Sequence, residues 1–254
     1  MNLRFANKVV VVTGASKGIG EATARLVHAE AAQVVLIDID PLGAEIAEAL
    51  GSQAYFINCD VSHSQAVQTT CQELKERYGR LDVWINNAGI QTYGTVTETS
   101  EDLWDHTLAV NLKSAYLCSR YAIPLLLQTE TPVIINVASV QALLCQPGVA
   151  AYATAKAALL GLTRSIAVDY APRLRCVAVC PGAVDTPMFR HDLPSGPEQN
   201  ALIAETEQIH LLNRLATADE IARFIVFLAS SDAQFMTGQY YRIDGGIGIK
   251  LGGQ

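Results

Sequence analysis

The sequence predicts an α/β fold, a doubly wound parallel sheet with helices on both faces. Three observations carry that expectation. Short apolar, β-branched runs alternate with Ala- and Leu-rich helical stretches along the chain, as strands buried on both faces and covered by crossover helices do. A glycine-rich turn, Thr13-Gly14-Ala15-Ser16-Lys17-Gly18-Ile19-Gly20, joins the first such run to the first helix. The chain has 254 residues, half of them hydrophobic, enough for one large core and better suited to a single domain over 1–254 than to two.

In order, residues 9–12 read as a buried strand and 21–31 as an Ala-rich helix. Residues 34–37 form a second strand ending in Asp38, and 41–50 a helix. A third strand at 54–57 closes with Cys59-Asp60-Val61, and a helix follows at 67–78. A fourth strand at 81–85 ends in Asn86-Asn87-Ala88-Gly89. A long helix is expected over 101–127, with a break near Asn111. The strand at 133–137 leads to Ser139, and a helix carries Tyr152 and Lys156. The strand at 175–179 precedes Pro181-Gly182. The polar stretch at 185–213, with Pro194, Gly196 and Pro197 and a weak helix at 201–209, breaks the alternation. Inserted after a strand's carboxyl end, its residues 186–213 are expected to form a lid over a site. A helix at 219–229 and a strand at 240–243 complete the pattern.

The formal net charge is −7 and no basic cluster occurs, which argues against nucleic acid as a partner. No apolar run approaches a membrane span and the start has no apolar leader, so a soluble, cytoplasmic protein is expected. The six cysteines form no C-x-x-C pair and fall mostly in apolar patterns, as buried free thiols do. The five histidines are scattered with no H-E-x-x-H, so no metal site is expected.

Tyr152 and Lys156, four apart on a helix, share one face. An ammonium beside a phenol favours phenolate and lowers the tyrosine pKa from ~10, making an acid–base device. Ser139, at a strand end, is placed to hold a carbonyl or alcohol oxygen. Tyr-x-x-x-Lys also arises as ordinary helix packing, so its context decides. Gly14, Gly18 and Gly20 sit where backbone N–H groups at a helix start approach a pyrophosphate, although the spacing is G-x-x-x-G-x-G. Gly14-Ala15-Ser16-Lys17-Gly18 is also a formal G-x-S-x-G, the elbow of a hydrolase. Chain order disfavours that reading, because only 13 residues precede Gly14 to supply an oxyanion loop. Asp38 ends the second strand 18 residues after Gly20, where a carboxylate accepts both ribose hydroxyls of an adenosine and repels a 2′-phosphate. Lys17 argues the other way.

Taken together, Thr13 to Gly20, Asp60, Asn86-Asn87-Ala88-Gly89, Asn111, Ser139, Tyr152-x-x-x-Lys156 and Pro181-Gly182 resemble the short-chain dehydrogenase/reductase family over nearly the whole chain. The resemblance implies a Rossmann-type fold and a single dinucleotide-binding and catalytic domain. It implies that Tyr152 is the general acid/base, that Lys156 lowers its pKa and holds the nicotinamide ribose, and that Ser139 orients the substrate oxygen. Asn111 would anchor a water linked to Lys156. The implied cofactor contacts run from Gly14, Ser16, Lys17, Gly18, Ile19 and Gly20 to Asp38 and Ile39. They continue through Asp60 and Val61 at the adenine, and Asn87, Ala88 and Gly89 near the ribose. Pro181, Gly182, Val184 and Thr186 would meet the nicotinamide.

The implied activity is interconversion of a secondary alcohol and a ketone with NAD, preferred over NADP because of Asp38. Tyr93, Gln141, Gln146, Arg190 and His191 are candidates to meet substrate, a polar set that favours a sugar, sugar acid or polyol. A 3-oxoacyl thioester reductase is the alternative within the family, and a non-catalytic dinucleotide-binding regulator the alternative outside catalysis. The family also implies a homotetramer. The apolar, glycine-rich tail with Ile247, Ile249 and Leu251 is expected to pack against another subunit.

Overall fold

A computed structural model describes residues 3–191 and 193–249. The first apolar run is strand β1 (Val9–Thr13), buried along its whole length. Helix α1 (Gly18–Ala29) starts inside the glycine turn, three residues before the expected start. Glycine's poor helix propensity masks a first turn made of Gly18, Ile19 and Gly20. Strand β2 (Gln33–Asp38), helix α2 (Leu42–Leu50) and strand β3 (Ala54–Asn58) follow as expected. Helix α3 (Ser64–Tyr78) begins before Val67, because its polar first turn carries no apolar periodicity. Strand β4 (Val83–Asn86) starts two residues later than expected. Asp82 is spent on the Val9 N–H, 2.9 Å from its Oδ2.

The long helix is α4 (Glu101–Leu108) and α5 (Ser114–Leu126) joined by a π-helical turn (Ala109–Lys113) that contains Asn111, so the break falls where expected. Strand β5 (Val133–Val137), helix α6 (Ala150–Tyr170) and strand β6 (Arg175–Pro181) come next. A short strand β7 (Val184–Asp185) pairs with β8 (Ala216–Thr217). Between them lie α7 (Pro187–His191) and α8 (Pro197–Gln208), the latter opened by proline at its first position. Helix α9 (Ala218–Ala229) and strand β9 (Tyr240–Ile243) end the pattern.

The main sheet has the order β3-β2-β1-β4-β5-β6-β9 with all neighbours parallel. This is the expected doubly wound Rossmann-type sheet. Alternate strand residues serve the two faces. Val10, Val12, Leu36, Ile85 and Ile135 join α1, α2 and α9 in one core. Val11, Val35, Ile37, Trp84 and Ile134 join α3, α5 and α6 in the other. Strand order reverses between β1 and β4, which opens a crevice at their carboxyl ends.

A buried polar chain crosses the sheet centre. Trp84 Nε1 donates to Asn86 Oδ1 at 2.8 Å, Asn86 Nδ2 to Asn136 Oδ1 at 2.8 Å, and Asn136 Nδ2 to Thr163 Oγ1 at 2.9 Å. Asn136 is fully buried, and its removal leaves the Asn86 amide only a long bond to Ser119 Oγ at 3.4 Å, while the Thr163 hydroxyl keeps its bond to Leu159 O at 2.8 Å. Asn136→Ala should lower stability by ~2–4 kcal/mol, from lost buried hydrogen bonds plus a cavity. Urea unfolding measures this, and a loss under ~1 kcal/mol would show that the network is dispensable.

Candidate active site

The crevice is held open by hydrogen bonds between the loops after β1 and β4. Thr13 Oγ1 accepts from Asn87 N (3.0 Å) and Ala88 N (3.1 Å) and donates to Ile85 O (3.3 Å). Asn87 Nδ2 donates to Thr13 O (2.9 Å) and Gly14 O (3.0 Å). Asn87, expected at a ribose, thus commits its side-chain donors to the glycine loop. Gly14 has φ +63°, and a Cβ there would lie 2.8 Å from Ala88 Cα. Both its backbone and its neighbours require glycine.

Lys17 precedes α1 without capping it by side chain, so the helix's first N–H groups stay open toward the crevice. With the glycine turn, they make a fitting cradle for a pyrophosphate. Asp38 stands at the β2 end, its Oδ2 accepting from Ser16 N (2.8 Å) and its Oδ1 from Asp40 N (3.0 Å). A carboxylate has further lone pairs for ribose hydroxyls. Ile39 is exposed beside it, its carbonyl accepting from Asn58 Nδ2 at 3.0 Å. Asp60 Oδ1 accepts from Ser62 N and Oγ, and Val61 is buried. Ser16 is fully buried and its hydroxyl donates to Asp40 O at 3.0 Å, which rules it out as a hydrolase nucleophile.

At the other end of the crevice, Ser139 caps a 3₁₀ turn (Val140–Ala142), its Oγ accepting from Gln141 N at 3.1 Å. Tyr152 and Lys156 lie in the buried first two turns of α6. Lys156 Nζ donates to Val137 O at 2.9 Å and lies 5.6 Å from the Tyr152 ring centroid. Asn111 is clamped in its π-turn. Its Nδ2 donates to Ile90 O and Thr107 O, both 3.0 Å, and its Oδ1 accepts from Ile90 N at 3.2 Å. A Cβ on Gly89 would lie 2.8 Å from Asn111 Oδ1 and 3.4 Å from Lys156 Nζ, so these three residues converge.

The expected lowering of the tyrosine pKa is not what the chain alone produces. Burial pushes the Tyr152 phenol up to about 12, with the Ser139 hydroxyl partly countering it and Tyr93 adding to it. Burial also pushes the Lys156 ammonium down to about 8. Sequence spacing gives proximity but not dielectric, and desolvation is the leading influence on both groups.

A cavity of about 860 Å³ joins these residues. Ile19, Gly89, Asn111, Ser139, Tyr152, Lys156, Pro181, Gly182, Val184 and Thr186 line it, with Tyr93, Gln141 and Gln146. Arg190 and His191 do not. Arg190 turns to Asp185, with Nε 2.5 Å from Oδ1, because the short helix α7 folds back towards the end of β7. The 186–213 insertion contributes apolar side chains instead, among them Met188, Phe189, Leu202 and Ile209. Ile247 of the tail also lines this cavity, while Ile249 is exposed and Leu251 lies outside the described residues.

His210 had no signal of its own in the sequence. It is buried, with Nδ1 donating to Thr206 O (2.8 Å) and Nε2 accepting from Ala183 N (3.2 Å). A Cβ on Gly182 would meet His210 Nε2 and Asp244 Cα at 2.9 Å, which accounts for that glycine. The imidazole fixes the loop after β6 to the end of α8.

A family model described as enoyl-(acyl carrier protein) reductase matches residues 14–248. The chain belongs to the short-chain dehydrogenase/reductase family. Members of this family are oxidoreductases that use nicotinamide dinucleotide cofactors. The chain is 40% identical to a meso-2,3-butanediol dehydrogenase of Serratia marcescens, over 96% of each chain. It is 39% identical to an oxidoreductase of Thermotoga maritima, over 96% of this chain and 98% of that one. A ligand-free aldohexose dehydrogenase of Thermoplasma acidophilum superposes with TM-score 0.90 at 38% identity, covering 98% of this chain and 96% of that one. No helix among the described residues is long and apolar enough to cross a membrane.

Lys156 links the site to stability. Its folded pKa of about 8 lies below its ordinary value of 10.5, so between these values the unfolded chain binds more protons. Stability therefore rises with pH across that window. From pH 8 to 10, wild type should gain up to ~2–3 kcal/mol relative to Lys156→Met, at ~1.4 kcal/mol per pH unit. Denaturant titrations at several pH values test this, and parallel pH curves for the two proteins would show that Lys156 titrates normally.

Proposed function

We propose that this family member is an NAD-dependent alcohol dehydrogenase or ketone reductase acting on a small hydroxylated substrate. The observation that carries this reading is the convergence of Ser139, Tyr152 and Lys156 on one cavity that runs back to the α1 cradle. When bound, the nicotinamide dinucleotide supplies the hydride acceptor or donor. Tyr152 takes the alcohol proton in the oxidative direction and returns it in reduction. Ser139 holds the substrate oxygen beside the phenol. Lys156, fixed by the Val137 carbonyl, keeps a positive charge near the phenol below pH ~8. Preference for NAD is supported by the Asp38 carboxylate, which two backbone N–H groups hold in place at the β2 end.

The substrate class is supported by Gln141. Among the described residues, its Oε1 is the buried side-chain atom that lacks a hydrogen-bond donor. That deficit costs ~1–3 kcal/mol. Turning the carboxamide toward a second substrate hydroxyl relieves it. The apolar side chains of the 186–213 insertion suit the carbon face of a sugar or polyol, and their place on the cavity supports reading this segment as a substrate lid. The butanediol and aldohexose dehydrogenases among its relatives are named for substrates with more than one hydroxyl. Assembly as a homotetramer is supported by the apolar side chains Tyr116 on α5, Val168 on α6 and Phe235 just before β9, all exposed.

Tyr152→Phe should lower kcat by ~10²–10⁴ with dinucleotide affinity within a few-fold of wild type. Retention of near-full turnover, followed at 340 nm over a panel of alcohols, would remove the proton-transfer role. Gln141→Leu should lower kcat/KM for vicinal diols or aldoses ~10-fold more than for simple secondary alcohols of similar size. Equal losses on both classes would assign Gln141 to packing.

A further inference from the structure

The two charged residues that make opposite arguments in the sequence form no direct pair in the structure, although Lys17 still feels the Asp38 charge, more weakly than that of Asp40. Lys17 pairs instead with Asp40, Nζ to Oδ2 at 2.6 Å. Asp40 is the anchored member of this pair. Its N–H donates to Asp38 Oδ1 (3.0 Å), its carbonyl accepts from Ser16 Oγ (3.0 Å), and its Oδ1 accepts from Leu42 N (3.0 Å). That leaves Oδ2 directed at the ammonium, which rides on a flexible four-carbon stem. Both side chains are partly exposed, and exposed ion pairs contribute little to stability. The pair therefore sets where the ammonium sits more than how stable the corner is.

Lys17 is also the sole cation between Gly14 and Gly20. A 2′-phosphate on the adenosine ribose, close to Asp38, needs a cation to offset its own charge and that of the carboxylate. With Asp40 in place, the three side chains carry one net negative charge and the cation is already engaged.

We propose that Asp40 is a cofactor-specificity residue that acts through Lys17. By holding the ammonium at the α2 corner, it denies the glycine loop's cation to a 2′-phosphate and reinforces the preference for NAD set by Asp38. Asp38 rewards the two ribose hydroxyls, and Asp40 disarms the one residue that could reward a phosphate in their place. Selectivity here combines an attractive element with the removal of a competing one. The inference rests on the nicotinamide-dinucleotide reading of the crevice.

The test is direct binding of NAD and of NADP by isothermal titration calorimetry at low salt. It compares wild type, Asp40→Asn, Lys17→Met and the double variant. Asparagine keeps the acceptor for Leu42 N–H, so the corner persists while the charge goes. Wild type should bind NAD ~10–100-fold more tightly than NADP. Asp40→Asn should shift the NADP/NAD affinity ratio toward NADP by ~10-fold, a shift that shrinks with added salt. In the Lys17→Met background the same substitution should shift the ratio by less than ~3-fold, because no ammonium remains to release.

An equal shift in both backgrounds would overturn the proposal, since Asp40 would then act as a bare charge. No shift in either would overturn it too, while tight NAD binding by wild type would leave the functional reading standing. If wild type bound neither dinucleotide, that reading and this inference would fall together.

Discussion

The hydrogen bonds that tie Thr13 and Asn87 across β1 and β4 are the constraint on which the rest of the site depends. A parallel sheet whose strand order reverses at one point leaves two neighbouring loops diverging to opposite faces. Without a tie they would move independently. The Thr13 hydroxyl and the Asn87 carboxamide hold them together by short bonds to backbone, which brings Gly14 against Ala88 closely enough to exclude a Cβ. The same tie fixes the start of α1 on one side of the crevice and Gly89, with Asn111 and Lys156 behind it, on the other. One staple thus sets the distance between the α1 end of the crevice and the end that holds Asn111 and Lys156.

At that end, solvation competes with charge. Tyr152 and Lys156 are placed by helix spacing, but both are buried, and burial penalises phenolate and ammonium alike. With the phenol up to about 12 and the amine down to about 8, the chain by itself holds both groups neutral across the interval between those values. A cationic ring beside the phenol would oppose this, because a nearby positive charge favours phenolate more strongly in a dry site. The Val137 carbonyl supplies the one strong acceptor that keeps the amine in place through either protonation state.

How far the sequence can be read depends on whether a feature is local. The strand and helix order, the break at Asn111 and the strand end bearing Ser139 follow from periodicity and turn chemistry, and the structure has them in place. Element starts lie outside the apolar pattern where the first turn is glycine or polar, as at Gly18 and Ser64, since neither supplies an apolar period. Features that need tertiary partners were not legible. Nothing near Lys17 in sequence says that Asp40 holds it, nor near Asn87 that its amide belongs to Thr13 and Gly14. Arg190 and His191 looked suited to a substrate by residue type, yet α7 turns Arg190 to Asp185 and the cavity receives Met188 and Phe189 instead. His210 gave no signal because its role is fixed by Gly182 and Gly245, glycines that only the fold brings beside it.

His210 also bears on how the proposed lid would work. A free flap needs both ends loose, but the carboxyl end of α8 is pinned by a buried imidazole to the Ala183 N–H. The movement of the proposed lid would then fall to the segment before it, where Met188, Leu202 and Ile209 have much of their surface exposed. Exposed apolar side chains at the rim of a cavity are unfavourable in water and gain ~25 cal/mol per Å² when covered. A ligand with an apolar face would therefore favour the proposed closure. In the proposed reading, the lid's apolar residues would meet the substrate's carbon skeleton, while Ser139 and Gln141 on the floor, with Glu205 and Thr206 of the lid itself, would meet its oxygens.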